Sequence, residues 1–334
     1  MVSVIGLDVG GANTKAAVVD GDRVRVVSEP FEVWREPDGL AKVITSVVRR
    51  LGVNGAPVAL TTTAELVDVF ASKREGVLRV LDACAGALDG RAVRVLTTDG
   101  ELIGLSAARV APLRCAAANW VASALLVART VPDAILVDCG GTTTDVIPIV
   151  SGQVAVQGRT DVDRLRAGEL VYTGALRTNV AAVLSQVPIG GEPCPVSSEL
   201  FAISADAHLL LGNLTPRQCT CSFPDGRGTS VAEVRSRLAR VVCADPEQLT
   251  EGDLRAIADA VQEAQTAGIA RALGRVAVRA RAGAPVLAVG VGAFLARAAA
   301  ERCGLTVHRI DASPLAGEGG EVAAAVALSV LGRD

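Results

Sequence analysis

Aromatic side chains are nearly missing from this chain. Five Phe, two Trp and one Tyr leave them at 2% of 334 residues. So few rings argue against a surface that stacks nucleic-acid bases or works as a paratope. An excess of one charge is missing too. The net charge of -3 gives no electrostatic case for nucleic acid or an anionic membrane surface. No segment reaches the roughly 18 uninterrupted apolar residues of a membrane span. The longest candidate, Cys115 to Ala128, reads as a buried helix. No basic region precedes the apolar run VSVIGL, which stops at Asp8, so no secretory signal is expected. These absences predict a cytoplasmic protein whose eight cysteines are reduced. Histidine is scarce as well. Cys194, His208, Cys219 and Cys221 lack the C-x₂₋₄-C spacing of a zinc knuckle, and a cysteine nucleophile lacks a histidine partner.

What is present is apolar bulk. Half of the residues are hydrophobic, mostly Ala, Val and Leu, and the length suits two domains. Strand-like and helix-like pieces alternate along the chain. VSVIGLDV and KAAVVDGDRVRVVSE read as paired strands, and GLAKVITSVVRRLG as a helix closed by glycine. APVALTTT reads as a strand, and Ala64 to Leu88 as one helix. The cycle restarts at DAILVDCGGTTTDVIPIV, and APVLAVGVGAFLARAAAERCG reads as strand, glycine turn and helix. EGGEVAAAVALSVLG reads as a terminal helix. The expected domains are 1–130 and 131–334, divided near ARTVP.

The sharpest pattern is a repeat. DVGGANT (Asp8 to Thr14) and DCGGTTT (Asp138 to Thr144) share D-x-G-G-x-x-T, 130 residues apart, each after an apolar strand. One copy suits a hairpin. Two copies and a third glycine turn, VGVGAF, suit phosphate chemistry. Gly10, Gly11, Gly140 and Gly141 let backbone N–H groups approach phosphate oxygens. Asn13, Thr14, Thr142, Thr143 and Thr144 add donors, and Lys15 adds a point charge. Asp8, Asp138 and Asp145 are candidate Mg²⁺ ligands. The null alternative for these polar residues is turn capping.

This order of loops resembles the actin, sugar kinase and Hsp70 superfamily, and the resemblance covers nearly the whole chain. It implies an α/β fold of two ribonuclease-H-like domains with a cleft between them. It also implies an adenosine-type third loop around Gly290 and Gly292. ELVDVFASKREGV, AANW, DCGGTTTDVIPI, GELVYTGALRTNV and SSELFAISADAHLLLGN are more specific. They are similar to hydantoinase/oxoprolinase-related proteins of the tetrahydromethanopterin-linked one-carbon pathway. That resemblance implies a transferase of methanofuran biosynthesis. Its substrates would be (5-aminomethyl-furan-3-yl)methyl diphosphate and γ-glutamyltyramine, joined as an aryl ether with loss of diphosphate. Small molecules are therefore the expected partners, with Mg²⁺ as cofactor and homo-oligomerisation open. The alternatives are an ATP-dependent kinase or a lactam hydrolase of the same superfamily. A nucleotide-switched regulator is a third reading; such regulators often carry an added DNA-binding helix-turn-helix domain, which is not expected ahead of a first strand this early.

Among the residues in the matching segments, Asp8, Asp138, Glu169, Glu199 and Lys15 are the catalytic candidates. One of Asp8, Glu169 and Glu199 is expected to serve as base for the phenol, whose unperturbed pKa is roughly 10. Substrate contacts are expected at Glu65, Lys73, Arg74, Asn119, Trp120, Tyr172, Arg177 and Asp206. Glu199 and Asp206 would share a face if their segment is helical. For Glu65, Lys73 and Arg74 the plain alternative is a solvated helix face. For Asn119 and Trp120 it is burial.

Overall fold

The apolar run before the first Gly-Gly pair forms strand β1 (Ile5–Gly10). The Gly-Gly turn returns the chain as β2 (Asn13–Asp20), and a tight turn leads to β3 (Arg23–Pro30). The computed structural model describes residues 3–308, 314–315, 320 and 322–333. Within them β4 (Val58–Thr63), β5 (Val93–Leu96) and β6 (Leu102–Gly104) complete a sheet of order β3-β2-β1-β4-β5-β6. β1 to β3 are antiparallel, and β4 and β5 run parallel to β1.

A second sheet repeats this plan. β7 (Ala134–Cys139) leads through the second Gly-Gly turn into β8 (Thr144–Val150) and β9 (Gln153–Val154). β10 (Leu170–Val171) follows. A separate ribbon pairs β11 (Gln186–Ile189) with β12 (Glu192–Pro195). β13 (Val286–Val289) and β14 (Val307–His308) close the order β10-β8-β7-β13-β14. A hairpin-fed strand in mid-sheet with further strands added beside it is the ribonuclease-H-like arrangement that the superfamily resemblance implies.

The chain divides into two compact units, each discontinuous in sequence. The first holds residues up to Leu136, Ile147–Arg166 and the C-terminal helix; the second holds Val137–Val146 and Ala167–His308. A single cut near residue 130 does not describe this division. The physical reason lies in the helix Ala323–Leu331, which is buried almost all round and packs on β1, β2 and β4. Ser329 Oγ accepts from Val19 N at 2.9 Å and donates to Val4 O at 2.7 Å. A Cβ on Gly6 would run into Ala325 O, so only glycine lets the helix lie this close. Of the expected terminal helix, residues 318, 319 and 321 lie outside the described set.

The other face of the first sheet meets the helices Leu40–Arg50 and Lys73–Ala87. Ile5, Leu7, Val9, Ile44, Val47, Leu60, Val77 and Leu81 form that core. In the second unit the helix Glu251–Ala277 packs against the helices Ser204–Leu210, Val231–Arg240 and Ala293–Arg302. No helix among the described residues is long and apolar enough to cross a membrane. All eight cysteines are free thiols.

Candidate active site

In the first unit, strand register lines up three polar side chains. Asp8 on β1 pairs with Lys15 on β2 and with Thr61 on β4. Residues paired in this way share a sheet face, so Thr61, Asp8 and Lys15 form a row beside the glycine turn. Asp8 is 8% exposed. Burial pushes its carboxyl up, and the Lys15 charge pulls it down by less. Asp8 Oδ1, Asn13 Oδ1, Thr14 Oγ1 and Thr61 Oγ1 are buried with no hydrogen-bond partner among the described residues. Buried polar atoms are rarely left so. Asp8 and Thr61 share the row with Lys15 near the glycine turn, whereas Thr14, in register with Val9, lies on the opposite face of the sheet. Gly10 and Gly11 are held without room for a side chain. A Cβ would fall 2.8 Å from Asn13 O at the first and 2.7 Å from Val67 Cγ1 at the second.

Thr61 was missed in the sequence because a threonine in a buried strand reads as a β-former. Only the register with Asp8 distinguishes it.

The backbone turn that carries Glu65 packs on the same glycine turn through Ala64 and Val67. A Cβ on Gly11 would also come within 3.9 Å of Ala64 Cα. The single helix expected over Ala64 to Leu88 is instead two pieces, a 3₁₀ turn Ala64–Leu66 and an α-helix Lys73–Ala87. Ser72 caps the α-helix by accepting from Glu75 N at 3.2 Å, and Glu75 Oε2 accepts from Ala71 N at 3.1 Å. That S-x-x-E capping signal stands in the sequence. Glu65 is therefore not on a solvated helix face. It is 2% exposed, its Oε2 accepts weakly from Thr62 Oγ1 at 3.4 Å, and its Oε1 has no partner among the described residues. Burial pushes its pKa up to about 7; its own backbone N–H, Lys73 and the Ala117 N–H oppose the rise, and Asp161 adds to it.

Lys73 is ion-paired to Asp161, one turn before Arg164 in the helix Asp161–Ala167. The Arg164 guanidinium covers the Trp120 ring at 4.1 Å. Trp120 is thus buried under an arginine of its own unit. Asn119 opens the helix Asn119–Thr130, which starts later than the expected Cys115. Arg74 is exposed on the helix surface. Asp161 and Arg164 lie in TDVDRLRAGEL, where their charges look like those of any surface helix.

The second unit holds the other expected residues. Gly140 N donates to Thr143 O at 2.9 Å and closes the second Gly-Gly turn. Thr144 Oγ1 donates to Thr173 O at 2.8 Å, and Arg177 approaches Thr142 at 3.5 Å. Ala175 N reaches Gly140 O at 2.9 Å, and Arg177 N reaches Gly141 O at 2.8 Å. The GELVYTGALRT stretch therefore buttresses the second turn. Glu169 is fully buried and ion-paired to Arg279 at 2.5 Å. Tyr172, at 62% exposed, is not gathered into this cluster. Gly290, at φ +88, and Gly292 sit on the end of β7, where a Cβ on either would collide with Cys139. Their smallness serves this packing. Asp138 borders Gly290, whose Cβ would fall 2.8 Å from Asp138 Oδ1. Asp145 is buried in register with Leu170.

Glu199 and Asp206 do not share a helix face. Glu199 is exposed in the loop before Ser204–Leu210. Asp206 is fully buried, accepting from Arg237 Nε at 2.8 Å and from Ile203 N at 3.0 Å.

Among the described residues no three His, Cys, Asp or Glu side chains converge as a metal site. Asp8 still offers one buried oxygen in want of a partner. That suits Mg²⁺ arriving with phosphate oxygens and water as its other ligands, and it does not suit an all-protein cage.

Two units of this topology with glycine turns after their leading strands define a protein of the actin, sugar kinase and Hsp70 type. Solved structures agree on the fold. Nucleotide-free acetone carboxylase superimposes with TM-score 0.61 at 12% identity, over 91% of this chain and 67% of that one. The ethanolamine utilization protein EutJ of Carboxydothermus hydrogenoformans does so with TM-score 0.50 at 15% identity, over 98% and 89%. Within that class the hydantoinase/oxoprolinase family model matches residues 57–333, and the chain belongs to that family. Two relatives are named (4-{4-[2-(gamma-L-glutamylamino)ethyl]phenoxymethyl}furan-2-yl)methanamine synthase. The one from Methanocaldococcus jannaschii is 37% identical over 76% of this chain and 75% of its own length. The one from Methanococcus vannielii is 40% identical over 35% of this chain and 52% of its own.

Proposed function

We propose that the chain is a cytoplasmic transferase of methanofuran biosynthesis. It joins (5-aminomethyl-furan-3-yl)methyl diphosphate to the phenol of γ-glutamyltyramine and releases diphosphate. The observation that carries this is the 37% identity with the M. jannaschii synthase over three quarters of both chains. The relative's name describes a phenol oxygen bonded to a furanylmethyl carbon, which is the bond such a reaction makes.

The first unit offers what the leaving group needs. Backbone N–H groups of the Gly10-Gly11 turn, Asn13 and Thr61 donate to phosphate oxygens, and Lys15 supplies positive charge as negative charge develops there. Asp8 would hold Mg²⁺, which neutralises the departing diphosphate. Gly140, Gly141, Thr142 and Thr143 form a second donor turn of the same kind.

The test is a product assay. Purified chain, Mg²⁺, the furanylmethyl diphosphate and γ-glutamyltyramine are mixed with and without ATP, and the ether is followed by mass spectrometry. Ether and diphosphate in the absence of ATP are expected. No ether, with ADP released when acceptors are supplied, would move the chain to the kinase or hydrolase branch.

A further inference from the structure

Three buried carboxylates among the described residues keep an oxygen without a partner: Asp8, Glu65 and Asp225. Asp225 binds Arg237 at 3.1 Å through its other oxygen, in a cluster that also holds Asp206 and Phe223. Asp8 lies beside the Lys15 charge, in the row near the Gly10-Gly11 turn. Glu65 differs from both. Lys73, the cation acting on it, is ion-paired to Asp161, which adds its own negative charge, so burial outweighs the lysine's pull. Its Oε2 is occupied by Thr62 and its Oε1 is not. The 3₁₀ turn that carries it rests on Gly11 on one side and on Gly76 on the other, where a Cβ would come within 2.6 Å of Glu65 Cα. A carboxylate with one buried oxygen lacking a partner, on a backbone turn packed against Gly11 and Gly76, is suited to receive a hydroxyl proton.

We infer that Glu65 is the catalytic base of this reaction, and that its Oε1 takes the phenolic proton of the acceptor. This deepens the ether-synthase reading and rests on it. The phenol oxygen then forms its bond to the furanylmethyl carbon. The bond from that carbon to diphosphate breaks, and its electron pair leaves on the diphosphate. The proton stays on Glu65 until water removes it. The titratable groups that face Glu65 are Lys73 on the following helix and Asp161 on the Asp161–Ala167 helix. These two form a neutral pair, which leaves burial to hold the carboxyl near neutral pH, where a base is most effective.

Glu65→Gln keeps the shape and removes the base. Ether formation is expected to fall about 10²- to 10⁴-fold in kcat. KM for the furanylmethyl diphosphate is expected to hold, and the acid limb of the wild-type pH profile to vanish. A ring-nitrated γ-glutamyltyramine, whose phenol ionises without help, should bring the variant within about tenfold of wild type on the same substrate. Glu65→Asp is the second variant; it should retain the acid limb at reduced kcat, and it serves if Gln folds poorly by circular dichroism. Wild-type ether with an equal rate and intact acid limb in folded Glu65→Gln overturns the base assignment alone. So does failure of the nitrated acceptor to rescue. No ether from the wild-type chain removes the reaction and this inference with it.

Discussion

Arg237 Nε donates to Asp206 Oδ1 across 2.8 Å, and neither side chain is exposed. The same guanidinium bonds Asp225 at 3.1 Å and Gly228 O at 2.9 Å, and lies 4.1 Å over the Phe223 ring. ISADAHLLLGN, PDGRG and RLARVV are thus interlocked by one arginine. Arg237→Ala leaves two buried carboxylates uncompensated and is expected to cost about 3–5 kcal/mol. The double variant Arg237→Met/Asp206→Leu should recover much of that loss, because a buried pair replaced by apolar volume is often close to neutral. Urea unfolding of the four proteins in the cycle checks it. Purely additive losses would mean that the two side chains do not act as a pair.

Gly174 is the tightest point of the second turn. A Cβ there would fall 2.5 Å from Thr142 N, 2.6 Å from Gly141 C and 2.7 Å from Gly140 O. All three are backbone atoms, which cannot swing aside. Gly174→Ala should cost about 1–3 kcal/mol by overpacking and displace the donor turn, with turnover falling more than about tenfold. Gly86→Ala is the control. It sits within the helix Lys73–Ala87 with nothing within 4 Å, and it should gain up to about 1 kcal/mol with turnover unchanged. Equal turnover in the two variants would dismiss the buttress.

How far the sequence carried these conclusions depends on the residue. The two D-x-G-G-x-x-T turns and their strands are legible because glycine and register leave few choices there. The β11–β12 ribbon, turned by Gly190-Gly191 at positive φ, was not read from the sequence. Pro188, Pro193 and Pro195 mask that hairpin, since proline normally argues against a strand. Here the ribbon has only two strands, so each proline can sit where no partner needs its N–H. Glu65 was legible as a residue of interest but not in its setting. A helical apolar pattern ran through a loop, and only Ser72 with Glu75 marked the true start. Glu169 and Asp206 show the opposite failure. Their partners Arg279 and Arg237 stand 110 and 31 residues away, where no local pattern shows the pairing.

His208 should govern part of the acid stability. It is fully buried, bonded to Gln265 at 2.9 Å and edge-on to Phe294 at 4.7 Å. Burial holds its pKa down at about 4, against 6.5 for an ordinary histidine. The unfolded chain takes up the proton first. The contribution is fully present above pH 6.5 and is lost as pH falls through about 4, amounting to up to about 3 kcal/mol. Urea unfolding at pH 7, 5.5 and 4 should show a smaller drop in His208→Gln than in wild type. Parallel curves would sink the assignment.

Asp8→Asn separates stability from function. The wild-type carboxylate is buried and opposed chiefly by the loss of solvation. An amide of the same shape removes that penalty, so the variant should fold at least as stably near neutral pH. Turnover should fall at least about 100-fold. In wild type, Mg²⁺ with inorganic diphosphate is expected to raise Tm, as ligands that bind only a native state do. In Asp8→Asn, Mg²⁺ should add nothing to the effect of diphosphate alone. An undiminished Mg²⁺ increment would place the metal elsewhere.

Glu65 carries a stability signature of the opposite sign to His208. Its folded pKa lies at about 7, above the 4.5 of an ordinary glutamate. Its contribution is fully present below pH 4.5 and is lost as pH rises through about 7, where the fold must accept a buried charge that Lys73 does not neutralise. Glu65→Gln never ionises. It should therefore match wild type below pH 4.5 and exceed it by about 1–3 kcal/mol at pH 8, read from urea unfolding across that range. A residue kept only for packing has no reason to cost stability at working pH. A variant less stable than wild type at pH 8 would make the carboxylate a structural group. A variant more stable and inactive would mark a position where the fold gives up stability to keep a proton acceptor.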